Sequence, residues 1–537
     1  MSATPPDRRC RHMTKKTLLL LLIVLALALP LRLKGLFSGL PTDTGRLSTH
    51  HFDEYITFGA LGRMEPAKFN FFASEALYWG TFQVYLQGAV LKGMQAAGLF
   101  TPGDKAYLRQ NLEMADRMYV SGRLITVIFS CLSIVLLYYI SAGLLSGYFA
   151  LIPPLFLALA YVEIHMALLV KPDSIMLFFG LCSLYFTFKA VRGEGGLKTQ
   201  LLAGAFNGLS FVSKYTGLVF GFHYVAAAAY RAATERAPGK WLARLTLYGL
   251  AFIAVFLIMN PYFILRNADT LVYMKDMFVK TNSAPDVFNA YLKYLTQVLP
   301  ASLGWPAAAL GLFSAGYAFF FGRPELRIAA AFVAVYLLKF GCTADVTFTY
   351  SLPLMPFFAL SCGYFIEKKM SGKPLLVALA AAVFLYTAAY SVYQKYLWSD
   401  SNTKAAASAW LEKEVPADSL VCVSKVDVWT PRVLRRYEPG LRLRASTGPE
   451  ALLSDSIKEL VRTAEDCDYV VLSEFETNVI AGDATLSWIP ESLAAGFEKA
   501  AEFKRPRSSF FILPDGPHYL SASMMNPDTT VYRRRGR

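Results

Sequence analysis

The feature that most constrains this chain is the recurrence of apolar stretches long enough to cross a lipid bilayer, beginning with "LLLLLIVLALALP" at residues 18 to 30. A spanning helix needs roughly 17 to 25 mostly apolar residues. Inside the hydrocarbon layer no water satisfies the backbone, so such stretches must form helices or close into a barrel. Eleven helical spans are expected, near residues 16–34, 118–140, 146–165, 172–190, 199–213, 215–231, 241–261, 298–321, 327–343, 350–366 and 374–397. Composition agrees: 55% of the 537 residues are hydrophobic, 14% aromatic and only 17% charged, with a mean hydropathy of +0.38. A single water-soluble globule is thereby excluded. The expected fold class is an α-helical polytopic membrane protein followed by a small C-terminal α/β domain.

Loop charge sets the expected orientation. Lys and Arg favour the cytoplasmic side, and "KAVRGEGGLK", "RAATERAPGKWLAR", "GRPELR" and "EKKMSGK" each carry one acidic residue among several basic ones. The basic amino terminus joins them inside, and an odd number of spans then puts the carboxyl-terminal segment outside, in the periplasm or beyond an inner (plasma) membrane. "LALALP" offers the small residues of a signal-peptide cleavage site. Arg32 and Lys34 follow at once, however, and the alternation of later loops suits an uncleaved anchor. The net charge of +14 is thus partly a topology signal. It does not indicate nucleic acid, because no aromatic-and-basic recognition motif accompanies it.

Two segments outside the spans are large. Residues 35–117 form a first outer loop, in which "FFASEALYWGTFQVYLQGAVL" suggests a helix lying in the membrane interface. From residue 399 to 537 the pattern changes to short β-like runs, "SLVCVS", "DYVVLS", "SFFILP" and "TTVYRR", alternating with helical stretches such as "SNTKAAASAWLEKE" and "EALLSDSIKELVRTAE". The expected division is a membrane domain over 1–398 and an outer α/β domain over 399–537. Only Cys422 and Cys467 share the outer segment; buried strand cysteines packing as small hydrophobes are the expected state, with a disulfide the alternative.

Placed on this topology, the polar residues meet on one face. Asp53 and Glu54 lie in the first outer loop, and Glu163, His165, Lys171 and Asp173 at the outer turn between spans three and four. Ser213, Lys214 and Tyr215 follow between spans five and six, Asn260, Tyr262 and Arg266 at the end of span seven, and Asp345, Thr347 and Tyr350 at the end of span nine. Scatter would populate both faces, and ionisable groups at a membrane boundary are costly enough to suggest a task. Each also has an ordinary reading: solvated loop carboxylates, a helix-end histidine, a lysine that snorkels, tyrosines of the aromatic belt. Lys214 stands in a turn too tight to reach far from the membrane surface, where a lipid phosphate would meet it.

"HFDEY", "VSGRLITVIFS", "HMALLVKPDS", "SKYTG" and "TFTYSLPLMP", in this order, resemble the type C membrane glycosyltransferases, specifically the bacterial protein O-mannosyltransferase and aminoarabinose transferase group. The likeness runs over about residues 15 to 400. One position departs from the pattern, since Thr349 stands where a basic residue is expected. The resemblance implies transfer of a sugar from a polyprenyl phosphate to a protein, lipid or glycan acceptor at the outer membrane face, with inversion at the anomeric carbon. It implies Asp53 as the base, Glu54 orienting the base or the acceptor, and Asp173 assisting. The departing phosphate needs cations rather than a proton, for which Lys214, Lys171 and Arg266 are the candidates. His51, His165, Tyr215, Tyr262 and Tyr350 are the candidate substrate-binding residues. A divalent metal ion as cofactor stays open, because His50, His51, Asp53, Glu54, Glu163 and His165 offer suitable atoms in a spacing that matches no established site. The rival readings are a transporter or flippase, an enzyme moving a whole glycan or a phosphoethanolamine-like group, and a non-catalytic scaffold or sensor.

Overall fold

The computed structural model describes residues 15–51, 53–74, 77, 79–266, 271–272, 284, 286–343, 347–400, 402–423, 442–445, 457, 464–482, 484–511 and 526–536. Six of its helices are long and apolar enough to cross a membrane, among them Lys15–Leu33, Leu112–Ala142, Asp173–Val191 and Pro238–Met259. Two bent pairs, Gly147–Leu159 with Tyr161–Ala167 and Val287–Leu303 with Trp305–Phe321, bring the number to eight. The eleven expected spans are therefore not all established. Three of them are helices of 17, 15 and 17 residues, Leu197–Ser213, Gly221–Glu235 and Pro324–Phe340, shorter than the ~20 residues of a typical crossing. The chain is a polytopic membrane protein whose helices share one large apolar core.

The breaks are not where proline alone would put them. Pro153 and Pro154, the conspicuous pair in the sequence, sit in the first turn of Ile152–Leu159, where a missing N–H costs nothing. The chain bends instead at Ala160, by 59°. A break inside a bundle strands carbonyls, and these are recaptured by side chains. Arg32 donates to Ala158 O at 3.0 Å and Leu157 O at 3.4 Å, and Ser391 Oγ to Leu159 O at 2.7 Å. Arg32 is therefore more than a charge flanking the first span. It is fully buried within that helix, held by Ser130 Oγ at 2.6 Å and neutralised by Glu163. The second break, of 114°, falls at Gly304, whose φ of +78° suits glycine.

In the first loop the interface stretch contains helix Phe82–Ala96. Gln87 fastens it to Ser121 of Leu112–Ala142 through a 2.8 Å hydrogen bond. The C-terminal segment carries a five-stranded sheet of order β2-β1-β3-β5-β4: β1 (Leu420–Val423), β2 (Arg442–Ala445), β3 (Tyr469–Ser473), β4 (Phe497–Phe503) and β5 (Thr529–Arg534). β1 runs parallel to β2 and β3, and β5 antiparallel to β3 and β4. β3 is buried along its whole length, as a strand covered on both faces must be. Val421, Val423 and Val471 meet Leu411 of helix Thr403–Glu414 on one face, while Val470 and Leu472 meet Ile489 and Leu493 on the other. One element differs from expectation: the described part of "SFFILP", Ser509 to Phe511, is not a strand. "FEKAAEF", which carries no β-like signal, is strand β4. Most of "EALLSDSIKELVRTAE" lies outside the described residues. Cys422 and Cys467 form a disulfide rather than packing as free thiols.

Candidate functional site

Two consecutive acids in the first loop have opposite surroundings. Glu54 is fully buried. Arg123 grips it through Nε to Oε1 at 3.0 Å and Nη2 to Oε2 at 2.8 Å, and Thr49 Oγ1 and the Val170 backbone N–H donate to it at 2.5 and 2.9 Å. The remaining Arg123 nitrogen donates to the carbonyls of Leu36 and Ser38 at 2.8 and 3.0 Å. A bidentate guanidinium with each of its three nitrogens engaged is a fixed point. Glu54 therefore has no oxygen left for an acceptor; it anchors the backbone on which Asp53 sits.

Asp53 is partly open, and its Oδ2 accepts from Lys171 Nζ at 2.6 Å. Lys171 lies in the turn after Tyr161–Ala167, so the Arg32-supported break at Ala160 helps to place it. Its ammonium also stands 5.4 Å from the centre of the Trp79 ring. Lys171 is thus not a snorkelling lysine. Beside this pair lies a second one, Lys214 Nζ to Asp173 Oδ1 at 2.7 Å, with the other Asp173 oxygen buried and unbonded. Burial by itself would raise the Asp53 carboxyl, but Lys171, His51 and Lys214 outweigh it and hold the group below the ordinary value. Burial would likewise lower the Lys171 ammonium, and Asp53 and Asp173 raise it instead. The four side chains form an alternating row of two carboxylates and two ammoniums.

Backbone packing holds the row in place. Lys214 stands extended between helix Leu197–Ser213 and the tight turn Tyr215–Phe220. The Tyr215 N–H donates to Trp79 O at 2.8 Å, docking the loop onto this turn. Gly80 makes the approach feasible, since a Cβ there would lie 2.3 Å from Val212 O.

Of the candidate substrate residues, His51 and His165 face each other with ring centres 6.3 Å apart. Burial, with Lys171 next, lowers His51 to about 4, so it is neutral near pH 7 and accepts the Asp53 backbone N–H at its Nδ1 (3.2 Å). His165 packs edge-on against Phe348 and Trp398 at 5.2 and 5.9 Å. Tyr350 is close enough to Lys171 to act on its charge. Tyr215 packs into an apolar cluster with Phe211. Tyr262 and Arg266 engage another part of the first loop: the Phe71 N–H donates to Tyr262 Oη at 2.7 Å, and Arg266 lies over the Phe72 ring at 4.7 Å. Asp345 lies outside the described residues. No group of three or more His, Cys, Asp or Glu side chains gathers as a metal site among the described residues. Glu54 and Glu163, two of the candidate ligands, are each committed to an arginine. Sequence reasoning missed Arg123 and Arg32 as organisers; the signal available was an arginine inside an apolar span.

A family model described as dolichyl-phosphate-mannose-protein mannosyltransferase matches residues 108–264. That stretch holds Arg123, His165, Lys171, Asp173 and Lys214; Asp53 and Glu54 precede it. Among solved structures, ArnT from Cupriavidus metallidurans in the apo state is similar over 96% of this chain and 98% of its own, at 15% identity and a TM-score of 0.52. The fold is shared at that level. The same protein bound to undecaprenyl phosphate gives 12% identity and a TM-score of 0.46 over 96% and 98%. The Archaeoglobus fulgidus oligosaccharyltransferase in the apo form gives 14% and 0.45, over 92% of this chain and 75% of that one. No curated protein matches the chain. The resemblance carried by the five sequence motifs is borne out by the family model and by the ArnT fold together.

Proposed function

We propose that this chain, a type C membrane glycosyltransferase by its motifs and fold, moves a sugar from a polyprenyl-phosphate donor to an acceptor hydroxyl, with Asp53 as the base. The observation that carries the reading is the row Asp53, Lys171, Asp173, Lys214, in which a carboxylate kept ionised lies directly beside ammonium groups. Asp53 takes the acceptor proton as the acceptor oxygen attacks the anomeric carbon. The bond from that carbon to the phosphate oxygen breaks, and its electron pair leaves with the phosphate. A base so placed contributes about 10² to 10⁴ in rate. Lys214, at the rim of its ion pair, meets the charge that develops on the leaving phosphate, with Lys171 beside it. His51 and Glu54 fix the backbone that presents Asp53. Arg266, Tyr262 and Tyr350 line the approach for the donor, and His165 with Tyr215 supports the site from within. The description of the matching family, which names a lipid-phosphate sugar donor, supports the donor class.

The reaction takes place at the outer face of the cytoplasmic membrane. Support comes from the basic loops at the opposite end of the bundle and from the Cys422–Cys467 disulfide, which belongs in an oxidising compartment. The deciding experiment is sugar transfer by purified protein in liposomes, with labelled polyprenyl-phosphate sugars and a membrane extract as acceptor, comparing wild type with Asp53→Asn. Transfer that collapses in a folded Asp53→Asn protein is the expected result. Full activity in that variant would remove Asp53 as the base, and a wild type that consumes no donor would move the transporter and scaffold readings ahead.

A further inference from the structure

The first and last spans leave the bundle side by side, tied by Lys34 Nζ to Asp400 Oδ2 at 2.6 Å. Next to this bridge a cavity of about 450 Å³ opens between the loop at residues 37–50 and helix Thr403–Glu414. That volume lies in the range of small-molecule sites, about 300 to 1,000 Å³. The Asn402 amide nitrogen donates to His50 Nδ1 at 2.9 Å and joins the two walls. Gly39 lets the imidazole fold over the turn, because a Cβ there would sit 2.6 Å from the same nitrogen. Burial and the neighbouring Lys404, Arg123 and Arg46 keep His50 neutral.

The chemistry of the lining is specific. Asp43 and Glu412 bring two carboxylates against one ammonium, that of the buried Lys404. A phosphate or carboxylate ligand would bring further acceptors to a wall that already presents two carboxylates. The Ser399, Ser408 and Thr42 hydroxyls donate inward, to Lys395 O, Lys404 O and Asp116 Oδ2, so the wall offers mainly acceptors, their lone pairs and the two carboxylates, to the hydroxyl donors of a sugar. Phe37, 69% exposed, adds an apolar ring of the kind that covers the C–H face of a pyranose. The cavity also shares a wall with the machinery around Asp53. Arg123 donates to Leu36 O and Ser38 O on the cavity turn while its other nitrogens hold Glu54.

We propose that this cavity is a carbohydrate-binding site, taking a neutral, hydroxyl-rich saccharide and seating the glycan part of the acceptor beside Asp53. Its role in transfer rests on the glycosyltransferase reading; its binding of saccharide does not. The acceptor class is then a glycan-bearing molecule rather than a bare peptide.

Binding is tested on the full chain in detergent by placing a reporter thiol on the exposed wall residue Ala409. Maleimide labelling of Ala409→Cys is followed by peptide mass spectrometry in the presence of mannobiose, maltose or, as charged controls, glucuronate and inorganic phosphate. Neutral disaccharides are expected to slow labelling several-fold and saturably, the charged controls to leave it unchanged. Adding Ala405→Trp, which fills the cavity from another exposed position, should abolish the protection without changing the melting temperature. The proposal is overturned if no disaccharide protects, if protection survives Ala405→Trp, or if phosphate protects equally. In turnover, Ala405→Trp should raise KM for a glycan acceptor several-fold with kcat retained; an unchanged KM would remove the acceptor role. A wild type that consumes no donor would sink the transferase reading alone, because the labelling result stands without it.

Discussion

Asp53 Oδ2 and Lys171 Nζ lie 2.6 Å apart, joining the first loop to the turn after the broken helix across 118 positions of sequence. The pair couples the charge state of the loop carboxylate to a second element. Asp53 is held below its ordinary value of 3.8, so the stability it contributes is present above that pH and is lost as pH falls through the lower folded value. Lys171 is raised above 10.5, so its contribution is present below that pH and is lost only as pH rises past the higher folded value. The pair is intact across the whole range between.

Lys171→Met should therefore move the acid limb of transfer activity to higher pH, because burial then raises the Asp53 carboxyl unopposed. The pH dependence of kcat/KM for wild type and variant measures this. An acid limb at the same pH in both proteins would mean that Asp53 does not govern it. In wild type, His51 titrates only near 4, so it adds no inflection between about pH 6 and 8.

Arg32 and Glu163 form a fully buried ion pair. Arg32→Met alone leaves a buried carboxylate without its counter-charge and should cost about 3 to 5 kcal/mol. Adding Glu163→Leu should restore much of the melting temperature, since well-packed apolar pairs often replace buried ion pairs without loss. A double variant as unstable as the single one would show that the carbonyls of Leu157 and Ala158, which Arg32 also caps, matter more than the charge.

Gly80→Ala places a methyl group 2.3 Å from Val212 O and must push the loop off the Tyr215 turn. The expected stability loss is about 1 to 3 kcal/mol, the usual range for overpacking. Transfer should fall further than stability, because Trp79 and with it Lys171 are displaced. Equal activity at a temperature well below melting would disconnect this loop from the site.

The disulfide crosslinks residues 45 apart in sequence, joining Cys422 within β1 to Cys467 just ahead of β3. Replacing both cysteines by alanine should destabilise the sheet by about 2 to 5 kcal/mol, read as faster proteolysis of the C-terminal segment. Alkylation before and after reduction should expose two further thiols in protein taken from membranes. Equal thiol counts would argue against an oxidising location for this segment.

The paired acids, the turn lysines and the shared face are all legible in the sequence, because lipid leaves few places where charge is tolerated. Their division of labour is not. "HFDEY" gives no sign that Glu54 is inward and Asp53 outward, since that follows from Arg123, 69 residues away. Strand β4 is equally hidden: Glu, Lys and Ala favour a helix, and only pairing with β5 overrides them.

The sequence by itself determined that this chain is a bundle of membrane helices whose paired acids and turn lysines gather at one end. A bilayer accepts only apolar, internally hydrogen-bonded spans, and both properties are local. Tertiary structure alone decided where the helices break, which arginines are buried, and which carboxylate is open. A buried charge is stable only beside its partner, and here the partners come from segments as far as 131 residues apart.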